Sequence, residues 1–293
     1  MGGSLACGDG DDGLHRSATL GPYAAVTMAV RIPVRRMDFD FGLDIPEAWA
    51  DGNAMITSLM AGLSAVFPSG ERFFIDSVRH YASQVTDPDL KERIRAFIGQ
   101  EANHTKGHIA FNRFLDTRGF DVWKIERIVE ARLKGLRKLS SPEANLARTA
   151  ALEHMTAMLA SAILEDGDFL EHSHPTIAAF WKWHAIEEIE HRSVAFDVYR
   201  ECVDDEQLRR RMMVAVTVFF CTLSAIRTVI MMSRSGHLLD VTAWAGGLNR
   251  LLGRRGVLRR AFPLYRAYYR RSFHPDQHDN RAAVERARSK YLD

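Results

Sequence analysis

The chain has 293 residues, 46% of them hydrophobic and 26% charged, with a formal net charge of +2. That composition supports a sizeable core and excludes a disordered or low-complexity chain, and nothing in it suggests base reading in nucleic acid. Three cysteines, Cys7, Cys202 and Cys221, are odd in number and far apart, which excludes a disulfide framework or a cysteine metal motif and points to a reducing, cytoplasmic compartment.

Residues 1–30 are rich in Gly, Asp and small side chains and open without a basic region. A disordered segment with no secretory signal is expected there, with Met28 as an alternative start. Residues 32–41 read as a short extended arm able to pair. From there the signals are helical. Pro46 to Phe67 reads as a first helix stopped by Pro68, and Ser69-Gly70-Glu71 opens a second that runs to about Val85. Asp87-Pro88 starts a third, which Gly119 ends just after Arg118. A fourth covers Val122 to Leu139. Ser141, Pro142 and Glu143 suit the N-cap and first turn of the next, which ends near Asp166-Gly167. Pro175 opens a further helix to about Cys202. No strand-like alternation of useful length occurs, so the fold class is all-α, with at least four helices of bundle length.

Beyond this body, residues 212–232 (MMVAVTVFFCTLSAIRTVIMM) carry Arg227 as their one charge. The segment reads as a helix buried on the bundle, a marginal membrane span, or a helix lying on a membrane surface, and it is also a candidate homodimer contact. Residues 208–293 hold 17 Arg/Lys against 5 Asp/Glu, a net of +12, which leaves residues 1–207 at 22 against 32, a net of −10. The basic region therefore calls for something anionic: a membrane surface giving peripheral association, an acidic carrier protein, or the acidic body itself. Residues 263–279 (PLYRAYYRRSFHPDQHD) fit either packing on the bundle or such a surface. The expected organisation is 1–30 disordered, 31–207 a helical bundle, and 208–293 a basic helical extension packed on the bundle or membrane-associated.

The stretch WKWHAIEEIEH, residues 181–191, concentrates the chemistry. On a helix, His184, Glu188 and His191 fall at offsets of 0, 4 and 7 and share one stripe, which is metal-ligand spacing. Glu187 lies to the side of that stripe and Glu190 well away from it. Glu-x-x-His recurs at Glu101–His104, and also at Glu171–His174, which Pro175 places in a loop rather than a helix. Glu71 lies in the helix before Glu101. Glu153 follows the small apolar run 149–152, where an unpaired carboxylate would be costly. The order along the chain is then Glu, Glu-x-x-His, Glu, Glu-x-x-His on four helices, the inventory that a pair of metal ions in a four-helix bundle requires. His108 is either a partner behind the ligands or an ordinary polar helix residue. His154 reads as structural, and Phe180, Trp181 and Trp183 as core or cavity lining.

The segments FPSGERFF, GQEANHTKGH, ARTAALEHMT and WHAIEEIEHRSVAFDVY resemble the family of predicted metal-dependent hydrolases, over most of residues 35–275. The ligand spacing alone also resembles the ferritin-like di-iron oxygenases of the p-aminobenzoate N-oxygenase type. Those carry an extra histidine one turn before the second Glu-x-x-His, where His184 stands. The resemblances imply a ferritin-like four-helix bundle with additional helices and a helical C-terminal extension. They imply that Glu101 and Glu188 bridge two metals, with Glu71 and His104 completing one site and Glu153, His184 and His191 the other. Iron is the first expectation for the two ions, with manganese or zinc as alternatives. The implied function is a di-iron oxygenase or oxidase in which Glu101, Glu188 and His184 are catalytic, acting with an electron donor on a small organic or lipophilic substrate. The alternatives are a dinuclear metal-dependent hydrolase, in which the metals lower the pKa of a water, and a metal-storage or ferroxidase protein.

Overall fold

A computed structural model describes residues 1–2 and 32–292, so the disorder expected of residues 1–30 falls almost wholly outside the described part. Among the described residues all regular structure is helical: α1 Ala54–Ser64, α2 Phe67–Tyr81, α3 Pro88–Thr117, α4 Val122–Leu139, α5 Pro142–Asp166, α6 Pro175–His191, α7 Val194–Cys202, α8 Glu206–Arg234, α9 Val241–Leu252, α10 Val257–Ala267 and α11 Arg281–Tyr291, with a short 3-10 turn at Pro275–Gln277. The fold class is all-α.

Local chemistry sets the ends of these helices. Asp87 caps α3 by accepting from the Asp89 N–H, and Ser141 caps α5 by accepting from Ala144 N–H, each with proline in the first turn, where a missing N–H costs nothing. Gly119 and Gly167 take positive φ of 81° and 75° just past α3 and α5, a conformation that favours glycine at a helix exit.

The structure departs from the expected first helix. Residues 47–52 form turns, and α1 starts only at Ala54, capped by Asn53. Asp51 explains this. At φ 50° its carboxylate accepts from the N–H groups of Leu170 (2.8 Å) and His172 (3.0 Å) and meets Arg250, bonds that tie the turn to two distant segments. Pro68 does not stop a helix; it sits in the first turn of α2. α2 ends at Tyr81 rather than Val85, because the Tyr81 carbonyl accepts from both Gln84 and Val85 N–H groups in a tight turn. The helix expected from Pro175 to Cys202 breaks at Arg192-Ser193 into α6 and α7. There Arg192 reaches out to Asp276, Asn280 and the His278 carbonyl.

Helix α2 packs on α3 and α5, and α6 packs on α5 and α3, which closes a ring of four helices. The 30-residue α3 is roughly 45 Å long. The arm at residues 32–41 lies along this ring without pairing as a strand. Gly99 lets it approach: a Cβ there would come within 3.0 Å of both Val34 methyls. Side chains of α3 replace strand pairing, with Gln100 donating to the Pro33 carbonyl and Asn103 to the Arg35 carbonyl.

The C-terminal helices pack on this body, α8 on α1 and α5, α10 on α5, and α11 on α6. Arg209, fully buried, donates to the carbonyls of Tyr268 and Arg270, pairs with Glu206 and lies over the Tyr268 ring. Among the described residues α8 is the one helix long and apolar enough to cross a membrane. Only one face of it is covered: Met213, Val216, Thr228, Met231 and Met232 are buried, while Val218, Phe219, Ile226, Val229 and Ile230 are exposed.

Candidate metal centre

Helix periodicity brings the polar groups together. Glu71 comes from α2, Glu101 and His104 from α3, Glu153 from α5, and His184, Glu188 and His191 from α6. All seven side chains point into the four-helix ring, and none is more than 5% exposed. Burying four carboxylates this closely would be prohibitive unless protons or cations compensate them.

Glu101 and Glu188 each face both histidine poles. Glu101 Oε1 lies 3.2 Å from His191 Nε2 and its Oε2 3.9 Å from His104 Nδ1. Glu188 Oε2 lies 3.7 Å from His191 Nε2, and its Oε1 lies 3.6 Å from His104 Nδ1 and 3.1 Å from His184 Nε2. Glu153 Oε2 stands 3.3 Å from His191 Nε2. Glu71 Oε2 accepts from the Thr105 hydroxyl at 2.8 Å. Four overlapping groups have ligand atoms within 4.8 Å of one another: Glu71–Glu101–His104, Glu101–Glu188–His191, His104–His184–Glu188 and Glu71–His108–His184. His184 therefore stands with His104 and Glu71, whereas the family pattern would group it with Glu153 and His191.

The outer hydrogen bonds fix which ring nitrogen each histidine turns inward. Asn112 donates to the Ser64 carbonyl at 3.1 Å, so its own oxygen accepts from the Ser64 hydroxyl at 2.7 Å. Ser64 Oγ is then left to accept from His108 Nδ1 (2.8 Å), and His108 Nε2 accepts from His184 Nδ1 (3.0 Å). His184 Nε2 then faces the centre, 3.1 Å from Glu188 Oε1. His104 Nε2 donates to Glu187 at 3.1 Å, which turns its Nδ1 inward. His191 Nδ1 donates to Gln100 Oε1 at 2.9 Å, and Gln100 is oriented by donating to Pro33 and Glu190. Its Nε2 faces the carboxylates. The carboxylate behind His104 and the amide behind His191 resemble the usual support of metal-bound histidine, while His184 is backed by a second imidazole.

Arg35 of the arm anchors that outer layer, bonding Glu187 at 3.0 Å and Glu190 at 2.7 Å, while Arg288 of α11 reaches Glu190 at 2.8 Å. Glu187 would be raised by burial, but His104 and Arg35 hold it below the usual carboxylate range. It is thus an anion able to accept from His104. Glu187, Gln100, Glu190 and Arg35 were not among the candidates from sequence. The three glutamates in one turn of α6 were the available signal, but their partners are remote in the chain.

The atoms that face inward lack partners. Glu71 Oε1, both oxygens of Glu101 and of Glu153, Glu188 Oε2, His104 Nδ1 and His191 Nε2 are buried without a hydrogen bond. Each such atom costs about 1–3 kcal/mol when left unsatisfied. Burial and the neighbouring carboxylates push Glu71 and Glu101 well above the ordinary range and raise Glu153 to about 7. Burial and the adjacent His184 lower His104 to about 4, so it is neutral at pH 7. Burial would lower His191, but Glu153 and Glu188 outweigh it and hold a proton there. Imidazoles with converging carboxylates are donors that fit divalent iron, manganese or zinc, and a bound ion would take the place of those protons.

The remaining candidates lie elsewhere. His154 donates from Nε2 to the Leu264 carbonyl and stacks on Tyr268 under the C-terminal helices. Glu171 and His174 lie at and before the start of α6, where they bond Lys290 and Asp44. Trp183 packs edge-on against His104. Trp181 lines a cavity of about 370 Å³ that ends on His184 and Glu188.

No curated protein and no solved structure matches this chain. A family model matches residues 33–279, a span that contains all seven inward-facing residues, and the chain belongs to the family described as predicted metal-dependent hydrolases.

Proposed function

We propose that the seven residues hold two metal ions, with iron as the preferred metal, and that the protein uses dioxygen to oxidise a lipophilic substrate. Glu101 and Glu188 would each help to hold both ions, since each has an oxygen near either histidine pole. Iron, when bound, supplies the reductive activation of dioxygen; electrons would come from an external donor. The residues of the chain do the rest. His184, oriented through His108, Ser64 and Asn112, presents its Nε2 at the inner end of the cavity. Phe67 and Trp181 close around it and exclude water.

The observation that carries the oxidative reading is the cavity wall. Its threonine hydroxyls are already committed, Thr156 donating to the Glu153 carbonyl and Thr228 to the Ser224 carbonyl, while Ser224 Oγ accepts from Arg227. A hydrolase would be expected to orient a polar ester or amide, and this wall offers little with which to do so. Hydrolysis is the second reading, and the family description favours it. In that case zinc or manganese on the same ligands would activate a water. Oxygen uptake by iron-loaded protein with a chemical electron donor, set against ester cleavage by zinc- or manganese-loaded protein, separates the two. Uptake that His184→Ala abolishes while helicity is retained is the expected result. Ester cleavage without oxygen uptake would establish the hydrolase.

A further inference from the structure

We propose that the cavity receives a long acyl or alkyl chain, delivered from an anionic lipid surface on which the α8–α9–α10 face rests. The inference rests on the reading of His184 and Glu188 as part of a metal centre. It adds the class of substrate and the route by which that substrate arrives.

The cavity runs outward from His184 and Glu188 between α1, α5, α8, α9 and α10. Its volume of about 370 Å³ lies within the range of roughly 300–1,000 Å³ usual for small-molecule sites. Its inner wall is Met60, Leu63, Phe67, Leu159, Ile163 and Trp181. Because both threonine hydroxyls in the wall are satisfied internally and most of the remaining lining is apolar, the body of the ligand must be largely hydrocarbon, with polar chemistry concentrated at the inner end.

The outer end opens where the exposed residues Cys221, Ala225, Val229, Leu248 and Leu258 line the cavity. That mouth does not open onto a polar surface. Val218, Phe219, Ile226, Leu252 and Phe262 are exposed on the same three helices. A soluble chain rarely leaves such a large apolar patch uncovered unless something docks there. The elbow between α9 and α10 adds charge. Arg254, Arg255 and Arg259 are exposed and form no ion pair among the described residues. Arginines alternating with Leu252, Leu258 and Phe262 match a lipid–water interface, with apolar side chains entering the acyl layer and cations at the headgroups. A second copy of the chain is the less favoured occupant, because a two-fold contact through this face would bring both sets of arginines into one interface.

The full-length protein would be sedimented with vesicles of phosphatidylcholine alone and of phosphatidylcholine mixed with phosphatidylglycerol. Binding is expected to the anionic vesicles, and Arg254→Gln, Arg255→Gln and Arg259→Gln together should weaken it on the order of a hundredfold. No binding, binding indifferent to lipid charge, or a dimer that forms through this face and excludes vesicles would each overturn the lipid surface as occupant. A fluorescent long-chain fatty acid would probe the cavity. Ala225→Trp, at an exposed position of the mouth, should weaken probe binding at least tenfold while vesicle binding persists; unchanged probe affinity would overturn the route. The probe should also bind after chelation, since the wall itself is apolar. Metal content of the same samples keeps the two readings apart: protein with metal but no chain binding sinks this inference alone. Protein that binds the chain but never metal keeps the route and contradicts the metal centre.

Discussion

Each inward-facing histidine nitrogen of the candidate centre is set by a partner on the far side of its ring. His104 turns Nδ1 inward because Glu187 takes the proton of Nε2. Glu187→Gln should therefore weaken metal affinity roughly 10–100-fold, read by competition with a chromophoric chelator, with little change in helicity. Unchanged affinity would remove Glu187 from the support of His104. The carboxyls give a pH prediction of definite sign. Above pH 7, His104 and His108, lowered by burial and by neighbouring histidines, and His154, lowered by burial, are neutral in the folded chain and largely so in the unfolded one. Glu188, held low by His184 and His191 against the effect of burial, is ionised in both states. What remains is Glu153 at about 7 and Glu71, Glu101 and His191, all raised. Each keeps a proton when folded that it would give up when unfolded, so the metal-free protein should lose thermal stability as pH rises from about 7 to 8. The metal-loaded protein should lose much less over that range, and loading near pH 7 should release protons. Calorimetry at stepped pH on both forms checks this.

At the scale of helices, the inward-facing stripe of histidine and glutamate was legible because an α-helix repeats every 3.6 residues. His184, Glu188 and His191, or Glu101 and His104, fall on one face whatever the rest of the chain does. The capped starts of α3 and α5 were legible for the same local reason. Pro68 was misread because proline ends one helix and begins another equally well, and only the packing of α1 against α2 decides. The break at Arg192 was invisible because its cause lies more than 80 residues away, at Asp276 and Asn280. The same distance hid Glu187 as the partner of His104, 83 residues apart. One close approach between α3 and α6 can be tested directly. A Cβ on Gly107 would stand 3.1 Å from both Phe180 Cε2 and Trp183 Cζ3. These rings sit in a dense aromatic cluster with Phe39 and Phe111. Gly107→Ala should therefore destabilise by about 1–3 kcal/mol despite the better helix propensity of alanine. A stabilised variant would show that the two helices can move apart.

At the scale of the molecule, the acidic body and the basic C-terminal region have separate parts in the structure. The body collects its carboxylates around a buried centre. The C-terminal helices cover α1, α5 and α6, supply Arg288 to the outer layer and form much of the cavity. The composition signalled the charge asymmetry, but no local pattern could disclose a cavity lined by seven helices drawn from both halves. Because the buried carboxylates compensate one another poorly without a cation, removal of metal should lower the melting temperature of the whole bundle, and not only of α6. Hydrogen exchange before and after chelation would show this as faster exchange in α2, α3, α5 and α6 together. The most direct measurement is elemental analysis of the full-length protein purified from cells replete in iron and manganese, followed by anaerobic reduction and exposure to oxygen under optical monitoring. The account predicts about two metal ions per chain, iron foremost, with an optical change on oxygen addition that Glu101→Ala abolishes together with the metal. Protein that holds less than one ion per chain under those conditions would contradict the reading of these seven buried residues as a metal centre.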